Sequence, residues 1–129
     1  IVEGFSEAIK NTKAQIIMPV NLTNKHGHTI NWKVSDYIEN TQKYLDRKID
    51  FILVNNEMPS QEQIEKYKLK EGDGVMVLDD FNDERVSRAS LLSHIVFEKQ
   101  NGDVIPSARG FIRHDSQKLA IAIQNILGK

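Results

Sequence analysis

Apolar segments that suit buried β-strands alternate along this chain with segments whose apolar residues recur at helical spacing. Residues 14–20 are apolar except for Gln15, and shorter apolar runs follow at residues 49–54 and 75–78. Between the first two runs, apolar side chains recur through residues 34–45 at the period of an α-helix. Strands separated by helices are joined by crossover connections, which place neighbouring strands parallel. The alternation predicts an α/β fold, a three-layer Rossmann-like sandwich with a mainly parallel sheet.

The middle of the chain carries a helix signal and an ambiguous segment. Ser60 and Gln63 form the capping-box pattern that begins a helix, and Gly72 is placed to end it. Residues 86–92 fit either a strand or a helical turn, because a short apolar run has no decisive period. We favour a strand for this segment.

The last third of the chain combines a hairpin signal with a helix. Asn101-Gly102 lies between apolar pairs, which predicts a small hairpin excursion within residues 95–110. Asp115 or Ser116 can then accept a free backbone N–H at the start of a helix, and the apolar residues that follow recur at helical spacing. The sequence therefore predicts a capped, amphipathic helix at the C-terminal end.

The composition suits one compact domain. The chain has 129 residues, 40% of them hydrophobic, which is enough to bury a core without disulfides or metals. A net charge of -1 gives no general reason to bind nucleic acid, and no apolar run is long enough to span a bilayer. There is no cysteine, and residue 1 is not methionine. We expect a single cytoplasmic domain over residues 1–129, without nucleic-acid or membrane partners, that is a portion of a longer protein.

Polar residues follow all three apolar runs. Asn21 follows the first run, Asn55 and Asn56 follow the second, and Asp79 and Asp80 follow the third. In parallel sheets, ligands bind outside the carboxyl ends of the strands, so these residues are candidates for a site. The alternative is that Asn and Asp end strands because their side chains bond to local backbone. The two aspartates could hold Mg²⁺ together with substrate phosphates, or simply begin a solvated loop.

The loop at residues 21–32 is rich in groups that suit a phosphate. It contains Lys25, His28 and the hydroxyl of Thr29, and Gly27 would let the backbone approach a ligand closely. The glycine spacing is neither that of a P-loop nor that of a dinucleotide fingerprint. Its two histidines could bind a transition metal, but no carboxylate or third histidine lies nearby in the sequence, and we predict no metal site there.

Arg113 lies just before the predicted C-terminal helix. An arginine beside the unpaired amides of a helix N-terminus is well placed to hold a phosphate or carboxylate in a bidentate fork. The alternative is that Arg113 pairs with Asp115 and only fixes the loop. Ser93-His94 and His114-Asp115 invite a nucleophile mechanism, but no elbow motif surrounds a serine, so we set that mechanism aside and leave the catalytic residues unknown.

Motifs spread along nearly the whole chain resemble those of the phospholactate transferase and gluconeogenesis-factor family, the CofD/YvcK-like or UPF0052 proteins. The motifs, in order, are Asn21-Leu22, Gly27, Thr29, Asp36-Tyr37-Ile38, residues 49–54 with Asn55-Asn56, Tyr67, Arg113-His114-Asp115 and Leu119-Ala120. The match is to the C-terminal part of the family. In the loop, Lys25, His26 and His28 stand where the family pattern usually has Gln, Pro and Glu.

The resemblance implies a Rossmann-like fold that binds a nucleotide-type ligand at the strand carboxyl ends. By position, Arg113 would contact a ligand phosphate and Tyr67 would lie against the ligand, while Asn21, Thr29 and Asn55 would line the cleft. One branch of the family binds a nucleotide sugar and regulates carbon metabolism and cell shape. The other transfers a phospholactyl-type group from a guanosine diphosphate donor to a deazaflavin, with Mg²⁺.

We favour the regulatory, nucleotide-sugar-binding branch, because the loop departs from the family pattern where an enzyme would least tolerate it. The transferase is the first alternative, and whether the protein is an enzyme stays open. A second alternative is an interaction module without a small ligand, in which the predicted hairpin is a docking surface. The sequence does not decide the oligomeric state, and a dimer stays open.

Overall fold

The computed structural model describes residues 3–94 and 112–128, so the predicted hairpin within residues 95–110 lies outside the described residues. Within the described residues, four helices and three strands follow one another: α1 (Phe5–Asn11), β1 (Ile17–Pro19), α2 (Val34–Gln42), β2 (Phe51–Asn55), α3 (Gln61–Glu71), β3 (Val86–Ala89) and α4 (Ser116–Leu127). Within these described ranges, no helix is long and apolar enough to cross a membrane.

The three strands form one parallel sheet in the order β1-β2-β3. Ile17 of β1 lies opposite Phe51 of β2, and Ile52 of β2 lies opposite Val86 of β3. Because the strands all point the same way, their carboxyl ends meet at one edge of the sheet. The predicted α/β class with a parallel sheet is confirmed, and this edge is where the candidate site has to be sought.

The central strand β2 packs against helices on both of its faces. Its side chains alternate between the faces, so Ile52 and Val54 lie in one buried cluster with Ile38 of α2. Leu53 lies in a second buried cluster with Ala122 of α4. The sheet is therefore the middle of three layers, as the strand-helix alternation predicts.

The helix ends follow the capping signals of the sequence. The hydroxyl of Ser60 accepts a hydrogen bond from the Gln63 amide at 3.2 Å, and the Gln63 side chain accepts one from the Ser60 amide at 2.9 Å. Gly72 ends α3 with a φ of 87°, a left-handed value that favours glycine. Asp115 rather than Ser116 caps α4, by accepting the amides of the second and third helical residues. These local predictions are confirmed.

The predicted strand at residues 75–78 is wrong. This segment pairs with the loop after β1 through isolated bridges, such as the antiparallel bridge between Met76 and Thr23, and not as a strand of the sheet. Val75 is fully buried, whereas Leu78 is 62% exposed. A short apolar run indicates that a segment is buried, but it does not indicate which segment its backbone will pair with. The third strand of the sheet is β3 instead, inside the segment that the sequence leaves ambiguous.

Candidate functional site

Arg113 lies at the carboxyl edge of the sheet because its segment pairs with the chain that leaves β3. The Ser93 amide donates to the Arg113 carbonyl at 2.9 Å, and the Asp115 amide donates to the Leu91 carbonyl at 2.7 Å. An antiparallel bridge between Leu92 and His114 lies between these two bonds. The backbone thus places Arg113 beside the end of β3 and immediately before α4.

A cavity of about 290 Å³ opens at this place, lined by Ser93, Arg113, His114, Asp115 and Ser116. Its positive groups are the Arg113 guanidinium and the N-terminal end of the 12-residue helix α4. One Asp115 oxygen accepts the amides of Gln117 at 2.9 Å and Lys118 at 3.0 Å, so this carboxylate caps the helix. Because Asp115 already accepts these amides, Arg113 is the residue of this lining that suits a small anion such as a phosphate group.

Tyr67 comes to the same place from α3. Its ring is buried in a cluster with Val75, Leu92 and Ile112. Its hydroxyl oxygen lies 3.5 Å from the Ile112 amide, a long hydrogen bond to the residue just before Arg113. The structure therefore brings together Tyr67 and Arg113, which are far apart in the sequence. Their predicted contacts with a ligand remain predictions.

The loop after β1 lies against the Tyr67 cluster through Leu22 and Ile30. Four of its predicted site residues are exposed: Asn21, Lys25, Gly27 and His28. Gly27 has a φ of 76°, and no other heavy atom lies within 4 Å of the place where a Cβ would be. The Thr29 hydroxyl accepts the Lys25 amide at 2.9 Å, so it closes a turn within the loop. The loop offers exposed polar groups on a base that is packed beside Tyr67.

Asn24 holds this loop in place, and sequence reasoning missed it. Its side chain is 2% exposed. The Asn24 amide nitrogen donates to the carbonyls of Trp32 and Gly74, both at 3.0 Å, and the amide oxygen accepts the Tyr37 hydroxyl at 2.7 Å. One asparagine among many polar loop residues gives no sequence signal. The most distant of its partners, the Met76 carbonyl at 3.4 Å, is 52 residues away in the chain.

The two asparagines that follow the second apolar run differ in what they do. The Asn55 side chain accepts the amides of Leu91 at 3.0 Å and Glu57 at 3.2 Å, and donates to the Glu57 carbonyl at 2.6 Å. Asn55 therefore joins the end of β2 to the end of β3. Asn56 is exposed, and its backbone amide donates to the Ala89 carbonyl at 3.0 Å. Direct ligand contact by either residue stays a prediction.

Four polar side chains that the sequence analysis did not connect meet at the same edge. The Glu57 carboxylate accepts the Ser90 hydroxyl, lies 2.5 Å from Nε2 of His94 and lies 3.5 Å from Nζ of Lys118. These contacts, the Ser90 hydrogen bond first, hold the pKa of Glu57 below its usual value of 4.5. The sequence analysis named His94 only beside Ser93, and nothing in the sequence linked it to Glu57 or Lys118.

The aspartates considered for Mg²⁺ are engaged by protein groups. Asp79 accepts two hydrogen bonds from the Arg88 guanidinium, at 2.7 and 3.2 Å, and Asp80 accepts the amide and hydroxyl of Ser35. Arg88 lowers the pKa of Asp79. This pair of carboxylates therefore does not fit a magnesium site. In residues 3–94 and 112–128, no group of three or more His, Cys, Asp or Glu is placed to hold a metal ion.

His114 should make the protein sensitive to acid. Within the described part of the chain, its Nε2 is a buried side-chain atom without a hydrogen-bond partner. Burial lowers the pKa of His114 below its usual 6.5. The unfolded chain therefore binds the proton more readily than the folded chain, so stability is lost as the pH falls below about 6.5. We expect a lower Tm at about pH 5.5 than at about pH 7.5, measured by circular dichroism.

The variant His114→Asn should show a smaller loss of Tm on acidification, since it removes the group that must stay neutral. His28→Asn is the matched control, because His28 is exposed on the loop after β1. The His28→Asn variant should show the same acid-induced loss of Tm as the unmodified protein. An equal acid-induced loss in all three proteins would assign the effect to other groups.

Fold and site together define a class: an α/β protein with a parallel sheet, whose candidate ligand groups meet at the carboxyl ends of the strands. A family model described as 2-phospho-L-lactate transferase CofD matches residues 1–95, and the chain belongs to this family. The resemblance drawn from the sequence motifs is confirmed. That the chain corresponds to the C-terminal part of the family, as one domain, stays a prediction.

Curated relatives of the chain carry the name "Putative gluconeogenesis factor". The relative from Thermotoga maritima is 35% identical over 126 residues, and the one from Clostridium acetobutylicum is 30% identical over 131 residues. The chain is covered to 98% and 100%, but spans only 38% and 27% of these two proteins. A crystal structure of a UPF0052 family member from Bacillus halodurans matches 95% of the chain and 36% of its own length, with a TM-score of 0.69 at 20% identity. This likeness supports the fold.

Proposed function

We propose that the protein binds a nucleotide sugar at the carboxyl edge of its sheet and acts as a regulator of carbon metabolism and cell shape. The observation that carries the proposal is the pairing of residues 91–93 with residues 113–115, which sets Arg113 beside Tyr67 and the start of α4. The relatives named as gluconeogenesis factors support the regulatory part of the proposal.

The chemistry of this end of the sheet suits a ligand that carries phosphate groups. The Arg113 guanidinium has the planar fork that can donate two parallel hydrogen bonds to a diphosphate. Tyr67 lies on the other side of Ile112, where its buried ring supports the segment that carries Arg113. The exposed groups Lys25 and His28 lie on the loop whose base packs beside Tyr67, where they can approach the rest of the ligand.

The second candidate function is transfer of a phospholactyl-type group from a guanosine diphosphate donor to a deazaflavin. The description of the matching family model favours it. The donor diphosphate would use the same Arg113 site, so the two candidates differ in nucleotide and in the need for Mg²⁺. Since Asp79 and Asp80 are engaged by Arg88 and Ser35, the metal in this candidate would have to be held by phosphate oxygens and other groups.

Isothermal titration calorimetry of the full-length protein separates the candidates. UDP-glucose and UDP-N-acetylglucosamine are titrated without metal, and GDP is titrated with and without Mg²⁺. We expect saturable heat from a UDP-sugar without metal. Binding of GDP only when Mg²⁺ is present would support the transferase instead. If the folded, full-length protein binds none of these nucleotides, the ligand-free interaction module becomes the better account.

A further inference from the structure

Glu57 lies where three parts of the fold meet at the carboxyl edge of the sheet. Its carboxylate contacts Ser90 and His94, which follow β3, and Lys118 in the first turn of α4. Its own backbone is held on both sides by the Asn55 side chain, through the Glu57 amide and the Glu57 carbonyl. A carboxylate with a fixed backbone and three donors has little freedom to move.

The contacts continue from Glu57 to the backbone of Arg113. Lys118 Nζ, which lies 3.5 Å from Glu57, donates to the Leu92 carbonyl at 2.9 Å. The next residue, Ser93, donates its amide to the Arg113 carbonyl at 2.9 Å. His94, held by Glu57 at 2.5 Å, immediately follows Ser93. Glu57 therefore secures residues 92–94, the segment on which Arg113 is paired.

The contact between Glu57 and Lys118 differs from an ordinary pair on the surface. The Glu57 side chain is 24% exposed and Lys118 is 34% exposed, so this pair is partly shielded from solvent, whereas the His94 side chain is 70% exposed. An exposed pair between two mobile side chains contributes little, because ordering them costs entropy and water screens the charges. Here one carboxylate joins three segments, and its loss leaves Lys118 and His94 without their shared anion.

The geometry points to Glu57 as a positioning residue for the Arg113 site, holding the 92–94 segment so that the guanidinium meets the ligand in its binding orientation. This inference rests on the proposed nucleotide-sugar site. His94 and Lys118 are the charged or titratable groups that contact Glu57.

The test uses Glu57→Gln in the full-length protein, with Glu39→Gln as the matched control because Glu39 is exposed on α2. We expect Glu57→Gln to weaken UDP-sugar binding by roughly five- to tenfold, the size of one ordinary hydrogen bond. Circular dichroism checks that Glu57→Gln is folded, so that the loss of affinity reports on the site.

If the unmodified protein binds a UDP-sugar and Glu57→Gln binds it with the same affinity, the positioning role is wrong and the proposed function stands. An equal loss of affinity in Glu39→Gln would assign the effect to net charge rather than to Glu57, and would also contradict the positioning role.

Hydrogen exchange tests the inference without a ligand. The amides of Ser93 and Asp115 form the bonds that hold Arg113 to the end of β3. In Glu57→Gln these amides should exchange roughly five- to tenfold faster, while the Val34 amide, bonded to Leu78 elsewhere in the fold, should not change. Unchanged exchange at Ser93 and Asp115 overturns the positioning role. No nucleotide binding by the unmodified protein overturns the proposed function separately.

Discussion

Replacing Arg113 with alanine is expected to weaken UDP-sugar binding by the full-length protein roughly 30-fold. Removing the guanidinium takes away its charge-assisted hydrogen bonding to a diphosphate, and a 30-fold loss corresponds to about 2 kcal/mol, the size of one such bond. The backbone bond between the Ser93 amide and the Arg113 carbonyl does not depend on the side chain, so the fold of the segment should persist. Calorimetric titration measures the affinity, and circular dichroism checks that the variant is folded.

Arg113→Lys and Lys43→Ala are the matched controls. Lysine keeps the positive charge but not the planar fork, so Arg113→Lys should recover only part of the affinity. Lys43 is an exposed cation at the end of α2, and its neighbour Gln42 bonds to Ile49 just before β2, at the opposite edge of the sheet. Lys43→Ala should bind like the unmodified protein. Unchanged affinity in a folded Arg113→Ala variant would contradict the phosphate site and favour the interaction module.

Replacing Asn24 with alanine is expected to lower the free energy of unfolding by about 3 kcal/mol. The side chain is 2% exposed and connects the loop after β1 to the segment that begins at Gly74. Alanine would leave the carbonyls of Trp32 and Gly74 and the hydroxyl of Tyr37 buried without these bonds, and each unsatisfied group costs about 1–3 kcal/mol. Local relaxation and entry of water should reduce the sum. Urea unfolding followed by circular dichroism gives the measurement.

Asn21→Ala is the control for Asn24→Ala, since it removes the same amide group from an exposed position in the same loop. It should change the free energy of unfolding by less than about 0.5 kcal/mol. The two variants also separate stability from binding, because Asn21 is a predicted ligand residue. Equal stabilities for the two variants would mean that the loop is not held through Asn24.

Local signals in the sequence were sufficient to predict the start of α3, where the interacting groups are close in the chain. The capping box of Ser60 and Gln63 was predictable because its two hydrogen bonds join residues three apart. The Asp115 cap was one of two options, and the structure selects it. The apolar run at residues 49–54 predicted the central strand, because a strand buried on both faces needs continuous apolar side chains.

The candidate site was predictable in its position but less so in the roles of its residues. Arg113 and Tyr67 were named from the sequence, and the fold brings them to one edge. Asn55 was named as lining the cleft, but its side chain bonds the Leu91 amide 36 residues away. Glu57 and Lys118, separated by 61 residues, gave no sequence signal at all. The sequence around a polar residue looks the same whether its side chain binds a ligand or bonds to a backbone group far away in the chain.

The sequence by itself determined the α/β alternation, the capping box of α3 and the family, since these depend on periodicity and on residues that lie close together in the chain. Only the tertiary structure decided that β3, and not residues 75–78, is the third described strand of the sheet. It also decided that Asn24 is a buried support and that Glu57 connects β2, β3 and α4. The physical reason is that hydrogen bonds and charge pairs act over a few ångströms in space, whatever the separation of their residues along the chain.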